Sequence, residues 1–500
     1  MRGDGVRRER LRRSQFPPRG VRLAGGGRSA RPSRGGGPVS ITARRHHRDR
    51  AGLPLPRIGT CLGIAVGVAA SLAPGLLPRT AGAQAILTGL LVAGALGAAA
   101  GLGWALRRAG MDTDRQAGRA GVAIATAVVL TAAIWRAGHW QNGLRSAMGV
   151  APIDPWYWAR CAAGATLVAG TLVAVGRVSR RALTALRTGP TIVAAVVVAL
   201  VGWLVLAPGI VDWRMATYAE ANAAPEPDTP PHIPPPHSGS AESEVDSAGL
   251  GRQGRRFVGG GQDGPIRVYV GVDSAPDLRT RVALAVRELE RSGGFARGNI
   301  VIAVPTGSGW IDGGAVTGIA ERFGEDAAVV GLQYAYTPSW VSFVFGREQA
   351  VEAARALFTA IEDRVATMTP RPRLFVYGQS LGAYGGSGIF TDEVDQDRRT
   401  CAVLWAGPPA NRAHRAGATV LANSSDPVVH WSPALLWRAP DLADVRHDAP
   451  LPRWLPLLSF VQTTADLLGA LDAPAGHGHR YGTDQGTGLG DCGSPGGTHG

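Results

Sequence analysis

Five long apolar stretches between residues 58 and 211 restrict what this chain can fold into more than any other feature of its sequence. They run over Ile58–Leu77, Ala83–Leu106, Ala120–Trp135, Trp158–Val175 and Pro190–Val211, and apart from Arg160 the charged residues of this region are confined to the segments between them. A helix needs roughly 20 apolar residues to cross the hydrocarbon core of a bilayer. These stretches, rich in Gly, Ala and Val, predict a transmembrane domain of about five helices over residues 53–212. A soluble bundle of buried helices is the alternative, which so many apolar stretches in succession disfavour.

Arginines between the stretches predict the orientation of the chain. The segment after the second stretch contains Arg107, Arg108, Arg115 and Arg119, and the segment after the fourth contains Arg177, Arg180, Arg181 and Arg187. Loops rich in positive charge stay in the cytoplasm. With an odd number of spans, the N-terminus is therefore predicted to be inside and every residue after Val211 outside. The expected location is the cell membrane, as a multi-pass protein in contact with the lipid bilayer and with an extracytoplasmic C-terminal part.

The segments that flank these regions differ from them in composition. Residues 1–52 are rich in Arg and Gly without periodicity, which predicts a disordered basic cytoplasmic tail. Residues 213–264 are rich in Pro, Ser and Gly, as is typical of a linker, and residues 483–500 are expected to form a second disordered tail. The net charge of +14 comes from arginine alone and is densest in the N-terminal segment. Nucleic-acid binding would need basic residues interleaved with aromatics on a folded face, so no nucleic-acid partner is predicted.

Residues 265–482 alternate between short apolar runs and segments with helical spacing. The apolar runs are Ile266–Val272, Ile300–Val304, Ala328–Leu332, Leu374–Tyr377, Ala402–Trp405 and Ala418–Ala422, and the helical segments include Arg279–Ser292 and Gln349–Thr367. Near-continuous apolar runs are typical of buried parallel strands. The alternation predicts a doubly wound α/β domain with a mostly parallel sheet, whose functional site lies at the carboxyl ends of the strands.

One motif in this domain indicates nucleophilic catalysis. Gly378, Ser380 and Gly382 form a G-x-S-x-G pattern directly after an apolar run and before a small-residue segment. This is the pattern of a nucleophile elbow, in which a sharp strand-to-helix turn exposes a serine hydroxyl. The pattern also occurs by chance in a chain with 70 glycines, but the preceding strand favours the functional interpretation. Ser380 is the predicted nucleophile, and the amide of Leu381 is a predicted oxyanion donor.

A second oxyanion donor is expected after an early strand. The run Ile300–Val304 leads into a glycine-rich loop with Thr306 and Gly307, whose backbone amides are the predicted donors. A phosphate-binding loop is the alternative interpretation. No G-K-[ST] follows this loop, so nucleotide binding is not predicted.

An elbow serine needs a base and an acid, which follow it along the chain in the order acid, then histidine. Asp426 comes just after the run Ala418–Ala422 and is the predicted acid, and the weaker candidates, which no clear strand delivers, are Asp441, Asp444 and Asp448. The base is expected in the late segment Gly-His-Gly-His. His477 is preferred because glycines flank it on both sides, and His479 is the alternative.

Metal and cysteine chemistry are the remaining alternatives. The two histidines of the late segment would need a third metal ligand, which is not evident, so neither a metal nor an organic cofactor is expected. The four cysteines have no metal-ligand spacing. A disulfide between Cys401 and Cys492 is compatible with the predicted extracytoplasmic location.

The C-terminal half resembles the actinobacterial membrane-anchored α/β-hydrolase family, whose members join a multi-span N-terminal region to a C-terminal catalytic domain. The residues that carry the resemblance are Pro305–Trp310, Gln333–Tyr336, Pro338–Trp340, Gly378–Gly382, Ser425–Val429, Trp431–Pro433, Gly476–His479 and Tyr481. The resemblance covers residues 265–482 in detail and the membrane half in layout. The chain departs from the family at Gln379, where the family elbow carries Glu, and this departure concerns the rate more than the nucleophile.

The motifs and the resemblance together imply a serine ester hydrolase. Ser380 is expected to form an acyl-enzyme, with His477 as the base and Asp426 as the acid. The expected substrate is an acyl ester, of a lipid or of the cell envelope. Acyl transfer to an envelope acceptor is an alternative, and a non-catalytic membrane module on a hydrolase scaffold is another.

Overall fold

The computed structural model describes residues 55–111, 114, 116–185, 189–225, 233–260 and 264–492. Side chains at several positions between residues 183 and 208 lie outside that description. The predicted N-terminal tail, residues 226–232 of the predicted linker and residues 493–500 of the predicted C-terminal tail lie outside it as well.

The N-terminal part consists of five helices within the described residues: α1 (Ile58–Ser71), α2 (Ala81–Arg108), α3 (Gln116–Ala147), α4 (Tyr157–Ala185) and α5 (Gly189–Ala223). Of the stretches that the structure describes, α2, α3 and α4 are long and apolar enough to cross a membrane. Helix α5 contains the whole of the predicted fifth span in one continuous helix.

The first predicted span is shorter in the structure than in the sequence interpretation. Helix α1 has 14 residues and ends at Ser71, three residues before Pro74. At 1.5 Å per residue it is about 21 Å long, against a hydrocarbon core of roughly 30 Å. The last two residues of this stretch, Leu76 and Leu77, are buried in a small cluster with Met148 and Ala473.

Small residues bring the first N-terminal helices close together. A Cβ atom on Gly67 of α1 would lie 2.6 Å from the Cα atom of Val92 in α2. A Cβ atom on Gly89 of α2 would lie 2.6 Å from the Cβ atom of Val168 in α4. Glycine at these two positions therefore allows the close backbone approach that is common between helices in membranes.

The C-terminal part is built on a sheet of six parallel strands, and the predicted α/β fold is confirmed. The strands are β1 (Ile266–Val270), β2 (Asn299–Val304), β3 (Ala327–Leu332), β4 (Arg373–Gln379), β5 (Ala402–Ala406) and β6 (Ala418–Leu421), in the order β1-β3-β2-β4-β5-β6. Each of these strands overlaps one of the predicted apolar runs. Strand β4 lies between β2 and β5, with Gly378 paired to Val304 and Gln379 to Ala406. The register places the loops after β2, β4 and β5 at one edge of the sheet.

Helices connect and flank these strands. They are α6 (Gly251–Val258), α7 (Leu278–Arg291), α8 (Gly313–Phe323), α9 (Ser339–Phe345), α10 (Arg347–Ala366), α11 (Leu381–Ser387), α12 (Glu393–Arg399), α13 (Pro427–His430), α14 (Leu458–Asp466) and α15 (Asp484–Thr487). The strands are buried along almost their whole length, and the largest fully buried side chains are those of Trp405, Tyr269, Tyr377, Phe358 and Phe375.

The packed domain extends beyond residues 265–482 at both ends. Within the predicted linker, Ile233, Val245, Leu250, Phe257 and Val258 are buried in the main core. Their burial could not be predicted from composition, because they are single apolar residues scattered among Pro, Ser and Gly. At the other end, α15 and the buried Leu489 pack onto the domain, and Cys401 forms a disulfide with Cys492.

Candidate active site

Ser380 occupies a strained turn between β4 and α11. Its backbone has φ 57° and ψ −123°, a region that non-glycine residues rarely adopt. A Cβ atom on Gly378 would collide with the carbonyl of Gly382, and a Cβ atom on Gly382 would collide with the carbonyl of Val304. Both glycines of the motif are thus required by close backbone contacts. Strain that is held in this way by the surrounding structure is typical of functional sites.

The serine lies in the wall of a cavity of about 680 Å³. Strand ends and loops of the sheet contribute Thr306, Ser380, Leu381 and His479 to this wall. Apolar side chains that line the rest of the cavity include Phe343, Val428, Trp431, Leu467 and Leu471. Tyr218 and Asn222, near the end of α5, also line it, so the long N-terminal helix forms part of the same cavity.

A buried carboxylate meets a buried histidine that lines the same cavity as the serine. His479 Nδ1 lies 2.7 Å from Asp426 Oδ2, and both side chains are almost completely buried. The other oxygen, Oδ1, accepts a hydrogen bond from the backbone N–H of Val428 at 2.8 Å. His479 Nε2 is buried and has no hydrogen-bond partner among the described residues. The histidine is therefore anchored through one ring nitrogen, and the other is available in the cavity wall.

Tyr481 is a third member of this group, and the sequence analysis assigned it no role. Its hydroxyl donates to Asp426 Oδ2 at 2.6 Å. Burial, together with the neighbouring Asp426 carboxylate, raises the pKa of the Tyr481 phenol well above its ordinary value. The hydroxyl therefore stays protonated and remains a donor to the carboxylate. Tyr481 could have been found from the sequence, because it is one of the residues that carry the family resemblance and lies two residues after His479.

His477, the preferred base of the sequence analysis, has a different partner. Its Nδ1 lies 3.0 Å from Asp448 Oδ2, and it is not among the described residues that line the cavity. Asp448 also accepts hydrogen bonds from the hydroxyl groups of Ser424 and Ser425. The preferred pairing of His477 with Asp426 is thus corrected: the structure joins Asp426 to the alternative histidine. Flanking glycines gave His477 conformational freedom, but contacts of the loop decide which ring enters the cavity.

The predicted oxyanion donors are placed unequally. Leu381 is the first residue of α11, so its N–H has no acceptor within the helix, and it lines the cavity. The Thr306 amide donates to the carbonyl of Trp310 at 3.0 Å, so this N–H already has an acceptor. The Thr306 hydroxyl is buried, with no partner among the described residues. Gly307 packs against Ser342 and is not among the described residues that line the cavity.

Gln379, the departure from the family elbow, supports the histidine segment. Its Nε2 donates to the carbonyl oxygen of His479 at 3.0 Å, and the side chain is buried. A carboxylate at this position has no N–H to donate to that carbonyl. The amide therefore stabilises the loop that carries His479.

Among the residues that the structure describes, no group of three or more His, Cys, Asp or Glu side chains is placed to hold a metal ion. Asp441 and Asp444, the other weak acid candidates, are also not among the described lining residues. The chemistry that the arrangement offers is that of a hydroxyl, an imidazole and a carboxylate.

A parallel sheet that delivers a serine on a strained elbow, with a carboxylate-bound histidine in the wall of the same cavity, is typical of the α/β-hydrolase class of proteins. The chain belongs to the alpha/beta-hydrolase family. Residues 266–420 and 414–495 match the model described as the alpha/beta-hydrolase family, and residues 72–261 match the model described as its N-terminus. The matches do not concern the source organism, so the actinobacterial origin stays a prediction. No curated protein and no solved structure matches the chain.

Proposed function

We propose that this protein is a membrane-anchored serine hydrolase that cleaves acyl esters of lipids, with Ser380 as nucleophile, His479 as base and Asp426 as acid. One observation carries the proposal: His479 is bound to a buried carboxylate through Nδ1, its Nε2 has no partner among the described residues, and the ring lines the cavity that contains Ser380. This is the arrangement that activates a serine hydroxyl.

The reaction follows from these positions. Ser380 Oγ attacks the acyl carbonyl carbon, and its proton passes to His479 Nε2. Asp426 stabilises the imidazolium through Nδ1, and the Leu381 N–H donates to the oxyanion. Collapse of the tetrahedral intermediate breaks the ester bond, and the leaving alcohol takes the proton from His479. Water then attacks the acyl-enzyme by the same route, which releases the acid and restores Ser380.

The lining of the cavity supports a lipid acyl group as the substrate. Phe343, Val428, Trp431, Leu467 and Leu471 offer an apolar wall next to Ser380. The cavity volume of about 680 Å³ lies within the range of small-molecule binding sites. Apolar burial stabilises a bound chain by roughly 0.8 kcal/mol per CH₂ group. Longer acyl chains are therefore expected to lower KM until the cavity is filled.

Two observations support a site outside the cytoplasm. The arginine-rich segments follow the second and fourth apolar stretches, as five alternating spans require. The Cys401–Cys492 disulfide is of a kind that persists in oxidising compartments. Alkaline phosphatase fused after Ala223 is expected to be active, because this reporter folds only where disulfides form. An inactive fusion, with a cytoplasmic reporter active at the same residue, would contradict the orientation.

Fluorophosphonate labelling of the full-length protein tests the proposed nucleophile. Wild type is expected to incorporate one probe, and Ser380→Ala none. Ser308→Ala is the matched control, because Ser308 lines the same cavity and has no part in the reaction. Labelling that persists in Ser380→Ala, or that is lost in Ser308→Ala, refutes the assignment. A folded wild type that never labels supports a non-catalytic module instead.

A further inference from the structure

The loop between α1 and α2, residues 72–80, is joined to the C-terminal domain by a buried ion pair. Arg79 Nε donates to Asp466 Oδ1 at 2.9 Å, and both residues are almost fully buried. Asp466 Oδ2 accepts the backbone N–H of Leu76 at 2.7 Å, and Arg79 Nη2 also donates to the Gln462 carbonyl at 3.2 Å. Removal of one member of such a pair leaves an uncompensated buried charge, which is strongly destabilising.

Further contacts make this junction tight. Gln462 Nε2 donates to the carbonyl of Ala70 at 2.6 Å. A Cβ atom on Gly75 would lie 2.6 Å from Asp466 Oδ2 and equally close to Arg79 Nη2. Glycine at position 75 therefore allows the loop backbone to approach the carboxylate. Helix α14, which ends at Asp466, is fixed to the end of the membrane helices by side-chain and backbone hydrogen bonds together.

The opposite side of the loop is fixed by α3. The N–H of Arg79 donates to Gln141 Oε1 at 2.9 Å, and its carbonyl accepts a hydrogen bond from Arg145 Nη2 at 2.7 Å. Trp140 Nε1 donates to the Gly75 carbonyl at 3.0 Å. Residues 72–80 thus have partners on both sides, and a displacement of the helices would be passed to Asp466.

A short path leads from Asp466 to His479. The residues after Asp466 form a 3-10 turn that ends at Gly469, and the next carbonyl, that of Ala470, accepts the N–H of His479 at 3.0 Å. Leu77 of the loop also approaches the histidine segment directly, since a Cβ atom on Gly478 would lie 3.2 Å from Leu77 Cδ2. The backbone on both sides of His479 is therefore supported by elements that the membrane domain fixes.

We infer that Arg79 is a positioning residue for His479: the 72–80 loop, through Asp466 and the turn to Ala470, holds the histidine against Asp426. The expected effect of Arg79 on the reaction rate rests on the proposed function. Its expected effect on the structure around His479 does not. Its consequence is that the C-terminal domain has full activity only when the membrane helices hold this loop in place.

Two measurements on the full-length protein in lipid nanodiscs test the inference. The first is fluorophosphonate labelling, in which the end point reports the fraction of competent protein and the rate constant reports the geometry of the site. In the fraction of Arg79→Gln that folds, the rate constant is expected to be about 10- to 100-fold lower, the effect of a displacement near 1 Å, whether or not the end point falls. The second is hydrogen exchange, in which peptides covering residues 470–481 are expected to exchange faster.

Matched variants complete the design. Arg119→Gln removes an arginine from another ion pair of the N-terminal part, with Asp114, and is expected to change neither measurement. The double variant Arg79→Gln, Asp466→Asn leaves no unpaired buried charge, so it is expected to fold even if the single variant does not. Leu77→Ala tests the apolar contact independently and is expected to accelerate exchange over the same peptides.

Three results would overturn the inference. The first is an unchanged rate constant together with unchanged exchange at residues 470–481. The second is a lower end point with a normal rate in the remaining protein, which would assign Arg79 to stability alone. The third is an equal effect of Arg119→Gln. Failure of the proposed function gives a different result, namely labelling that does not depend on Ser380, and hydrogen exchange then still decides the role of Arg79.

Discussion

Replacement of Asp426 by Asn is the sharpest test of the site, because it changes one atom and reverses one hydrogen bond. Asp426 Oδ2 accepts from both His479 Nδ1 and the Tyr481 hydroxyl, at 2.7 and 2.6 Å. Asn can keep Oδ1 on the Val428 N–H, but its NH₂ group then faces two donors. His479 is relieved of this conflict only in the tautomer that carries its proton on Nε2, where it cannot accept the proton of Ser380.

The size of the effect follows from this geometry. A wrong histidine tautomer in a site of this kind costs about 10⁴-fold in turnover. The free energy of unfolding is expected to be less affected than turnover. Each hydrogen bond to the carboxylate contributes about 1.5–3 kcal/mol, and removal of a buried charge offsets part of that loss. Asp426→Asn is therefore expected to be folded and nearly inactive.

The chain provides a matched control in its second His–Asp pair. Asp448→Asn makes the same change opposite His477, at a distance of 3.0 Å, away from the cavity lining. Its turnover is expected to stay within about tenfold of wild type. The assay is hydrolysis of a chromogenic acyl ester by both variants, with thermal unfolding of each as a check on folding. Comparable losses in the two variants, or a larger loss in Asp448→Asn, would refute the assignment of His479.

Three further outcomes are expected. Gly407→Ala should lower fluorophosphonate labelling at least about 10²-fold, because its Cβ would lie 2.6 Å from His479 Cε1, whereas Gly324→Ala, also at positive φ but in open space, should label normally. Burial lowers the pKa of His430, so the unfolded chain binds a proton that the folded chain does not; the melting temperature should fall as pH decreases below about 6.5 in wild type, and less steeply in His430→Gln. Cys401→Ser should cost about 2–4 kcal/mol of unfolding free energy in oxidised protein, and a reductant should then have no further effect on its melting temperature.

Much of the fold could be predicted from the sequence because the relevant signals are local. Each strand is a near-continuous apolar run, and burial on both faces of a parallel sheet requires that composition. The elbow could be predicted for the same reason: Gly378 and Gly382 remove Cβ atoms that would collide within a few residues of Ser380. Asp426 could be predicted as well, because it lies in the loop that follows β6.

The boundaries of the packed domain could not be predicted from such local signals. Ile233 and Phe257 lie in segments whose composition is that of a linker, yet both are buried in the main core. Burial of an isolated apolar residue depends on what the rest of the domain places beside it. Average composition over a window does not contain that information.

The choice between His477 and His479 was decided by tertiary structure alone. The two residues are two positions apart in a glycine-rich turn, where Gly476 and Gly478 both have positive φ, so local rules leave either ring free to face the serine. Ala470 binds the N–H of His479, Gln379 binds its carbonyl, and Asp426 binds its ring. These partners come from segments up to 100 residues away in sequence. The sequence determined that two histidines follow Asp426 in one short turn, and only tertiary hydrogen bonds determined which one enters the cavity.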